Sequence, residues 1–369
     1  MRYHRPALST LEPYSAGRTL EEARRESGLT DIVKLSANEN PYGASPRVLE
    51  AMSAELALVH MYPWNRFTDL KDEIGKFHDL TADNVVVGHG SEAVMQLVPM
   101  MLVEPGDEVI VPAVSYTRYA EVSKVMGARI LRAPMTGYDV DVGEVVGLLS
   151  ERTRIVWIGS PNNPTGRSLA VDQVRTVLEA LPEDAVLVLD QAYQEYADDQ
   201  LSTDGAALVR EGYDNLIETR TFSKAYALAG IRLGYGVAHQ DICELLDRIK
   251  EPFNLNRLSA VAGPIALHDR EWLARCVQAN AAQRAMLTGQ LAARGLAPVP
   301  SQANFVLVDV GVDADELFNR LMAVGVLVRP ATAFGYPTHI RVTVGTDTQN
   351  RRFLAALDEV LPRLTPARE

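Results

Sequence analysis

The chain has 369 residues, of which 47% are hydrophobic and 23% charged, and its 36 basic and 48 acidic residues give a net charge of −12. This composition is typical of a globular protein with room for two domains, and the charge disfavours nucleic acid or an anionic membrane as a partner. No apolar run approaches the roughly 18 residues of a membrane span, and no apolar leader follows Met1. Since Cys243 and Cys276 are the only cysteines, no disulfide framework is expected, and we predict a cytoplasmic protein.

The amino-terminal 30 residues are polar and predict an arm with one short helix at 20–27, followed by a strand at 31–37. Ser45 and Pro46 form a helix start, because serine caps free N–H groups and proline fits the first helical position. From 84 to 238 strands and helices alternate, which predicts a mostly parallel sheet with helices on both faces. The strands expected in this part are 84–88, 109–112, 129–133, 154–160, 185–190, 215–219 and 233–238.

After residue 252 the pattern changes to long helices at 257–268 and 271–294, with shorter strands and helices after them. Strands are expected at 305–310, 326–329 and 340–345, and helices at 314–324 and 349–361. This texture predicts a smaller α+β domain at 253–369, with the large domain at 39–252 and the arm at 1–38 associated with the smaller domain.

The stretch after the 215–219 strand contains a lysine among phosphate-binding residue types. Thr221 and Ser223 closely precede Lys224, and Arg232 follows eight residues after the lysine. An arginine fork suits phosphate, and a lysine beside an anion site can bind pyridoxal phosphate (PLP) covalently. The alternative is an ordinary lysine in a strand-to-loop turn.

A second candidate anion site joins a strand to a helix at Gly88-His89-Gly90-Ser91-Glu92. The first N–H groups of a helix bind anions, and glycines allow a ligand to approach the backbone closely. A plain strand-to-helix turn explains the same residues.

Other polar or aromatic residues follow predicted strands, and ligands of such sheets bind at the carboxyl ends of strands. Tyr116 could stack on a flat ring or fill a core. Asn163, in Pro161-Asn162-Asn163-Pro164-Thr165-Gly166, could donate to a ring oxygen or serve a simple turn. Asp190 could pair with a pyridinium nitrogen or cap a helix, and Arg341 could hold a carboxylate or lie on a solvated strand face.

These motifs occur in one order and together resemble the aminotransferase class I/II family of fold-type I PLP enzymes. The stretch from Ser223 to Gly234 matches the pattern S-K-x-x-x-L-x-G-x-R-x-G. Within the family the likeness is greatest to histidinol-phosphate aminotransferases, through Asn38-Glu39-Asn40-Pro41-Tyr42-Gly43 and Arg341-Val342-Thr343-Val344-Gly345. The resemblance implies an α/β fold with a large, mostly parallel sheet and a smaller α+β domain.

For the cofactor ring, the resemblance implies that Lys224 holds PLP through its amine and then acts as the general acid and base. Asp190 would pair with the pyridine nitrogen, and Tyr116 would stack on the ring. Asn163 and Tyr193 would contact the ring hydroxyl oxygen.

For the phosphate, the resemblance implies binding by Ser91, Glu92, Thr221, Ser223 and Arg232. Tyr62 would reach the phosphate of a neighbouring subunit, which implies a homodimer with its active site at the subunit interface. No metal is implied.

For the substrates, the resemblance implies transamination between an amine and 2-oxoglutarate, with histidinol phosphate as the leading amine. Asn40 and Arg341 would hold an α-carboxylate, while Tyr14 and Arg329 would contact a distal phosphate.

Several residues depart from the family pattern. Gln191 stands where the family has glutamate, and Val114-Ser115 stand where it has Pro-Thr. Arg118 occupies a position that is usually apolar, and Glu92 directly follows the serine, where aspartate is usual. These departures keep open an aromatic amino acid aminotransferase, or a PLP-dependent decarboxylase or cyclase. A PLP-sensing regulator would need a DNA-binding module, and the sequence shows neither a spare domain nor a basic patch.

Overall fold

The structure is a computed structural model that describes residues 5–11, 13, 17–64, 67–198 and 200–366. The strands in these residues are β1 Val33–Lys34, β2 Val85–His89, β3 Glu108–Pro112, β4 Arg129–Ala133, β5 Met135–Thr136, β6 Asp139–Val140, β7 Thr153–Gly159, β8 Val186–Asp190, β9 Leu216–Thr221, β10 Leu233–Ala238, β11 Ala297–Pro298, β12 Phe305–Asp309, β13 Val326–Leu327, β14 Arg329–Pro330 and β15 His339–Thr343. The α-helices are α1 Leu20–Ser27, α2 Pro46–Glu55, α3 Thr68–Phe77, α4 Ser91–Leu102, α5 Arg118–Val125, α6 Val142–Gly147, α7 Val171–Ala180, α8 Gly205–Arg210, α9 Gln240–Ile249, α10 Arg257–His268, α11 Arg270–Ala292, α12 Ala314–Ala323 and α13 Asp347–Val360.

A seven-stranded sheet forms the larger part of the molecule, in the order β2-β10-β9-β8-β7-β3-β4. The strands β9, β8, β7, β3 and β4 pair in parallel, whereas β10 is antiparallel to β9 and to β2. The carboxyl ends of the parallel strands therefore share one edge, and the residue that precedes β10 lies at that same edge. This arrangement confirms the predicted mostly parallel sheet.

The strands β2, β3, β7 and β8 are nearly continuous apolar runs, as is expected for strands that are covered on both faces. Alternate residues pack on opposite faces, so that Val85 and Val87 belong to one core while Val86 belongs to the other. Trp157, fully buried in β7, anchors the second of these cores. Burying each such aliphatic side chain stabilises the fold by roughly 1.5–3 kcal/mol.

A second, antiparallel sheet has the order β11-β12-β15-β14 and is covered by α11, α12 and α13 around a separate core. The amino-terminal segment joins this part, because β1 pairs in parallel with β13 and Leu35 lies in the separate core of the smaller sheet. These features match the expected smaller α+β part, whereas the arm at 1–38 remains a prediction. The proposed division at residue 252 stays a prediction; α10, which follows it, packs against α2 and α3 of the larger part.

The structure also differs from the predicted elements. The strand expected at 31–37 is only Val33–Lys34, and the one expected at 326–329 is divided between β13 and β14, which belong to different sheets. The β5–β6 hairpin and helices α6 and α8 were not among the predicted elements. These pieces are short and lack enough residues to display a helical or strand period.

Candidate active site

The predicted site residues converge at the carboxyl edge of the seven-stranded sheet. The strands β2, β7, β8 and β9 end there, and a cavity of about 470 Å³ opens beside them. Its lining includes Ser91, Glu92, Tyr116, Asn163, Asp190, Tyr193, Thr221, Ser223, Lys224, Arg232, Arg329 and Arg341.

Lys224 lies in the tight turn that follows β9. The turn is closed by a backbone hydrogen bond from Leu228 N to Phe222 O at 3.0 Å. The Lys224 Nζ donates to Ala37 O at 3.3 Å and lies 5.7 Å from the centre of the Tyr193 ring. The amine is therefore directed into the cavity, between the two sheets.

The Lys224 amine is less basic than that of an ordinary lysine. Desolvation lowers the pKa of Lys224 to about 8, and the positive charge of Arg341 contributes to this lowering. Arg232 lowers the pKa further, whereas Glu39 and Asp190 raise it. A substantial fraction of the amine is consequently neutral near physiological pH, and the neutral form is the nucleophile.

The anion cradle is the group of donors formed by Gly90, Ser91, Thr221, Ser223 and Arg232 at one end of the cavity. Gly90 N donates to Arg232 O at 3.1 Å, and Thr221 Oγ1 donates to Ser223 Oγ at 3.0 Å. Helix α4 begins at Ser91, so its first N–H groups have no acceptor within the helix. Hydroxyls, a guanidinium and a helix start are the donors that bind phosphate groups.

Two glycines keep the anion cradle open. Gly90 has a φ of +78°, and a Cβ there would lie 2.6 Å from Arg232 Nη2. A Cβ on Gly234 would lie 2.1 Å from Ser91 N. A side chain at either position would force apart the segments that form the cradle, which explains the glycines at these points.

Asp190 ends β8 as a buried carboxylate with three hydrogen-bond donors. Tyr119 Oη donates to Oδ2 at 2.7 Å, while Ala192 N and Thr219 Oγ1 each donate to Oδ1 at 3.2 Å. Desolvation raises the pKa of Asp190, and these donors and the charge of Lys224 oppose that rise. The site thus presents an acid whose charge a cationic ring nitrogen would stabilise.

Tyr119 is itself held firmly. Its fully buried ring stacks on Trp157 with centroids 5.2 Å apart and an interplanar angle of 4°. Trp157 Nε1 donates to Ser123 Oγ at 3.1 Å, and Ser123 Oγ donates to Tyr119 O at 2.8 Å. Tyr119 is absent from the predicted site, although its spacing of three from Tyr116 could have suggested a shared helical face.

Asn38 is a second site residue absent from the predicted set. Its Nδ2 donates to Tyr193 Oη at 2.9 Å, and its Oδ1 accepts from Thr343 Oγ1 at 3.1 Å. Asn304 Nδ2 donates to Asn38 O at 3.0 Å. Asn38 has a φ of 55°, a conformation that asparagine tolerates better than most residues. This network joins Tyr193, which follows β8 of the large sheet, to β15 of the small sheet.

Arg341 forms another link between the sheets. Its Nη1 donates to Asn163 Oδ1 at 2.6 Å, and its Nη2 donates to Ser36 O at 2.8 Å. The guanidinium also lies 5.3 Å from the centre of the Phe305 ring. Arg341 is buried, so the solvated strand face left open by the sequence is excluded.

Arg329 lies directly beside Arg341. The two residues are register partners across the β14–β15 pair, and both line the cavity. The resemblance assigned these arginines to different substrate groups, but the structure places them on the same wall. Two adjacent guanidiniums are suited to a dianion.

Two predicted residues that the structure describes, Asn40 and Tyr62, do not line the cavity. Asn40 Nδ2 donates to Ala225 O at 2.9 Å, which braces the turn that carries Lys224. Tyr62 is 79% exposed and stacks on Phe253 at 4.6 Å. Tyr14 lies outside the described residues.

None of the helices in the described part of the chain is both long and apolar enough to cross a membrane.

Known proteins resemble this chain along nearly its whole length. A histidinol-phosphate aminotransferase of Symbiobacterium thermophilum is 41% identical, with 97% of this chain and 98% of that protein covered. Histidinol-phosphate aminotransferase 1 of Nitrosococcus oceani is 39% identical, with 95% of each covered. The crystal structure of histidinol-phosphate aminotransferase from Sinorhizobium meliloti in complex with pyridoxal-5'-phosphate has a TM-score of 0.90 and 28% identity, with 99% of each chain covered.

The predicted fold type is confirmed by this structural likeness. The sequence profile described as aminotransferase class I and II matches residues 30–357. The matched region includes both sheets and the cavity between them, with Lys224 at its centre. The chain therefore belongs to the aminotransferase class I and II family.

Proposed function

We propose that this protein is a PLP-dependent aminotransferase that moves an amino group between histidinol phosphate and 2-oxoglutarate. The observation that carries the proposal is the position of the Lys224 amine, with its pKa lowered to about 8, in one cavity with the anion cradle and buried Asp190. A flat cofactor that carries an aldehyde, a ring nitrogen and a phosphate matches these three features.

The residues present fit PLP. The anion cradle would take its phosphate, since a Cβ at Gly90 would fill the space beside Arg232. Asp190 would pair with the ring nitrogen, Tyr116 would stack on the ring, and Asn163 and Tyr193 would contact its hydroxyl oxygen. Bound PLP supplies an electron sink for the carbon that carries the amino group.

Lys224 would perform the proton transfers. Its Nζ would first hold the cofactor, and on release it would take a proton from the substrate carbon that bears the amino group and deliver it to the cofactor carbon that carried the aldehyde. An amine with a pKa near the working pH is suited to both roles. Asn40 would contribute by bracing the Lys224 turn through Ala225 O.

The paired arginines support an anionic substrate. Histidinol phosphate carries a phosphate where glutamate carries its α-carboxylate, so Arg329 and Arg341 would meet these groups in turn. Tyr14 would add a hydroxyl donor to the phosphate. The names of the relatives also support histidinol phosphate over the aromatic, decarboxylase and cyclase alternatives.

We further propose a homodimer in which Tyr62 reaches the neighbouring subunit's cofactor phosphate. An apolar patch surrounds this residue and consists of Leu56, Leu58, Val59, Met61, Tyr62, Trp64 and Phe253, each at least 36% exposed. A patch of this kind on a folded chain is typical of a subunit interface. A second copy of the chain would cover it and would bring Tyr62 to the active site.

We also propose that the enzyme works in the cytoplasm. Cys243 and Cys276 are buried and unpaired with each other, which suits a reducing compartment.

The direct test combines covalent trapping with an assay. Purified protein incubated with PLP and borohydride should carry the cofactor on the peptide that contains Lys224, and Lys224→Ala should abolish that modification. With histidinol phosphate and 2-oxoglutarate the wild type should form glutamate, and Asp190→Ala should lower turnover by orders of magnitude. Trapping at another lysine would overturn the proposed cofactor site, and glutamate formed only with phenylalanine would overturn the proposed amine.

A further inference from the structure

Two residues that depart from the family pattern, Glu92 and Arg118, are brought together by the fold. Arg118 Nε donates to Glu92 Oε1 at 2.7 Å, and its Nη1 donates to Glu121 Oε2 at 2.7 Å. Tyr116 Oη donates to the other oxygen of Glu92 at 3.3 Å. One arginine thus lies between two carboxylates and holds the one that contacts Tyr116.

Position makes this group relevant to the cavity. Glu92 is in the first turn of α4, directly after Ser91 of the anion cradle, and it lines the cavity with Tyr116 and Glu121. The side chains of Glu92 and Arg118 are 33% and 20% exposed, so solvent screens them only in part.

A carboxylate at this point opposes phosphate binding. The helix start and Arg232 attract an anion, but a negative charge within the same turn raises the free energy of a bound dianion. Arg232 belongs to the cradle, and Lys224 also lines the cavity. Neither forms an ion pair with Glu92 among the described contacts, whereas Arg118 does.

We propose that Arg118 is a positioning residue that neutralises Glu92 and turns its carboxylate away from the anion cradle towards Tyr116. The cradle then receives a phosphate without repulsion, and the Tyr116 ring is fixed at the cavity wall through its hydroxyl. This inference rests on the proposed PLP cofactor.

The test is a double-mutant cycle on the complete, cofactor-free protein, with PLP affinity measured by quenching of intrinsic fluorescence. The variants are Arg118→Met, Glu92→Gln and the combination of both. Arg118→Met alone should weaken PLP binding by roughly 5- to 20-fold. The same change in the Glu92→Gln background should alter the dissociation constant by less than about twofold, since the carboxylate beside the anion cradle is then absent.

Salt provides a second readout that a merely structural role would not produce. The loss of PLP affinity in Arg118→Met should become smaller as ionic strength rises, because salt screens the repulsion between the partly exposed Glu92 carboxylate and the bound phosphate. Arg118→Lys should recover most of the affinity by restoring the positive charge. Arg175→Met, which removes the Arg175–Glu211 ion pair away from the cavity lining, should bind PLP as the wild type does.

The outcomes separate this inference from the proposed function. If the wild type fails to bind PLP, the proposed function is wrong and the inference falls with it. If the wild type binds PLP and Arg118→Met binds equally well, only the inference is overturned. Equal losses in both backgrounds would likewise overturn it, because the effect would then come from packing and not from the charge of Glu92.

Discussion

Three hydrogen-bond donors oppose the rise in the pKa of Asp190 that its burial causes. Tyr119 is the strongest of the three by distance, at 2.7 Å against 3.2 Å for Ala192 and Thr219. A hydrogen bond to a charged group contributes about 1.5–3 kcal/mol. The fixed stack of Tyr119 on Trp157 means that the donor is held in place before any ligand arrives.

Tyr119→Phe should therefore impair catalysis while it preserves the ring stack. Because Tyr119 opposes the desolvation that raises the pKa of Asp190, losing the hydroxyl should raise this pKa further. The ionised form is then lost at a higher pH, so the acidic limb of the kcat/KM profile should move upwards. The rate should fall by about 10- to 150-fold.

The control for this change is Tyr213→Phe, which removes an exposed hydroxyl bonded to Glu179 at 3.3 Å and should leave the profile unchanged. An unshifted acidic limb in Tyr119→Phe would show that Asp190 does not depend on this donor.

The adjacent arginines should differ in their substrate dependence. Arg341→Ala should weaken both half-reactions, because it removes a buried guanidinium that also holds Asn163. Arg329→Ala should weaken the reaction of histidinol phosphate more than that of glutamate. A phosphate dianion would contact both arginines, whereas a carboxylate needs only one guanidinium. Each lost contact should cost about 10- to 150-fold in kcat/KM, measured for the separate half-reactions.

Phenylalanine supplies the comparison. If Arg329→Ala leaves the wild-type preference between histidinol phosphate and phenylalanine unchanged, Arg329 does not contact the phosphate.

At the scale of elements, clear end residues were the reliable signal. The helices at Leu20–Ser27 and Arg257–His268 have the predicted bounds; Thr19 and Asn256 cap their starts, and Gly28 follows the end of the first. Val326–Leu327 and Arg329–Pro330 look like one strand locally, but their pairing partners, β1 and β15, belong to different sheets. Pairing partners distant in the chain cannot be read from a local pattern.

The same limit applies to the candidate site. Residues within recognisable motifs, such as Lys224 and Asp190, could be named from the sequence because chemistry and spacing identify them. Tyr119 could not, and Asn38 received no role although it lies in the 38–43 motif. The roles of both arise from contacts with Asp190, Tyr193 and Thr343, which are far away in the chain.

The junction between β10 and α4 should be sensitive to a single methyl group. Gly234→Ala would place a Cβ 2.1 Å from Ser91 N, so strand and helix must separate and the anion cradle must widen. Overpacking of this kind typically costs about 1–3 kcal/mol of unfolding free energy, and PLP affinity should fall as well. Urea unfolding of the cofactor-free protein and PLP titration measure the two effects.

Gly230→Ala is the matched control, because nothing lies within 4 Å of a Cβ there and the φ needs no glycine. It should change stability by no more than about 0.5 kcal/mol. Equal effects of the two substitutions would contradict the close-approach argument.

At the scale of the whole molecule, the cavity depends on both sheets. Arg341 of the small sheet holds Asn163 of the large one, and Asn38 joins Tyr193 to Thr343. The site would extend further in a dimer, since Tyr62 and the apolar patch lie away from their own cavity lining.

Mixed dimers should reveal which subunit supplies Tyr62. If this residue serves the partner's site, a dimer of one Lys224→Ala chain and one Tyr62→Phe chain contains one site with both native residues. Mixing the two inactive or weakened homodimers and allowing exchange should restore about a quarter of wild-type activity. No gain on mixing, with exchange confirmed by mass, would place Tyr62 at its own subunit's site or outside catalysis.

The influence of Arg341 on Lys224 has a consequence for the order of events. Arg341 lowers the pKa of the Lys224 amine, and a carboxylate bound to Arg341 would offset that positive charge. Binding of the substrate anion would thus raise the pKa of the Lys224 amine. The amine would become a stronger base only when the substrate, which supplies the proton, is bound. In the cofactor-free protein, a saturating dicarboxylate should accordingly shift the pH midpoint of Lys224 labelling by an amine-reactive reagent upwards from about 8, and an unmoved midpoint would exclude this gating.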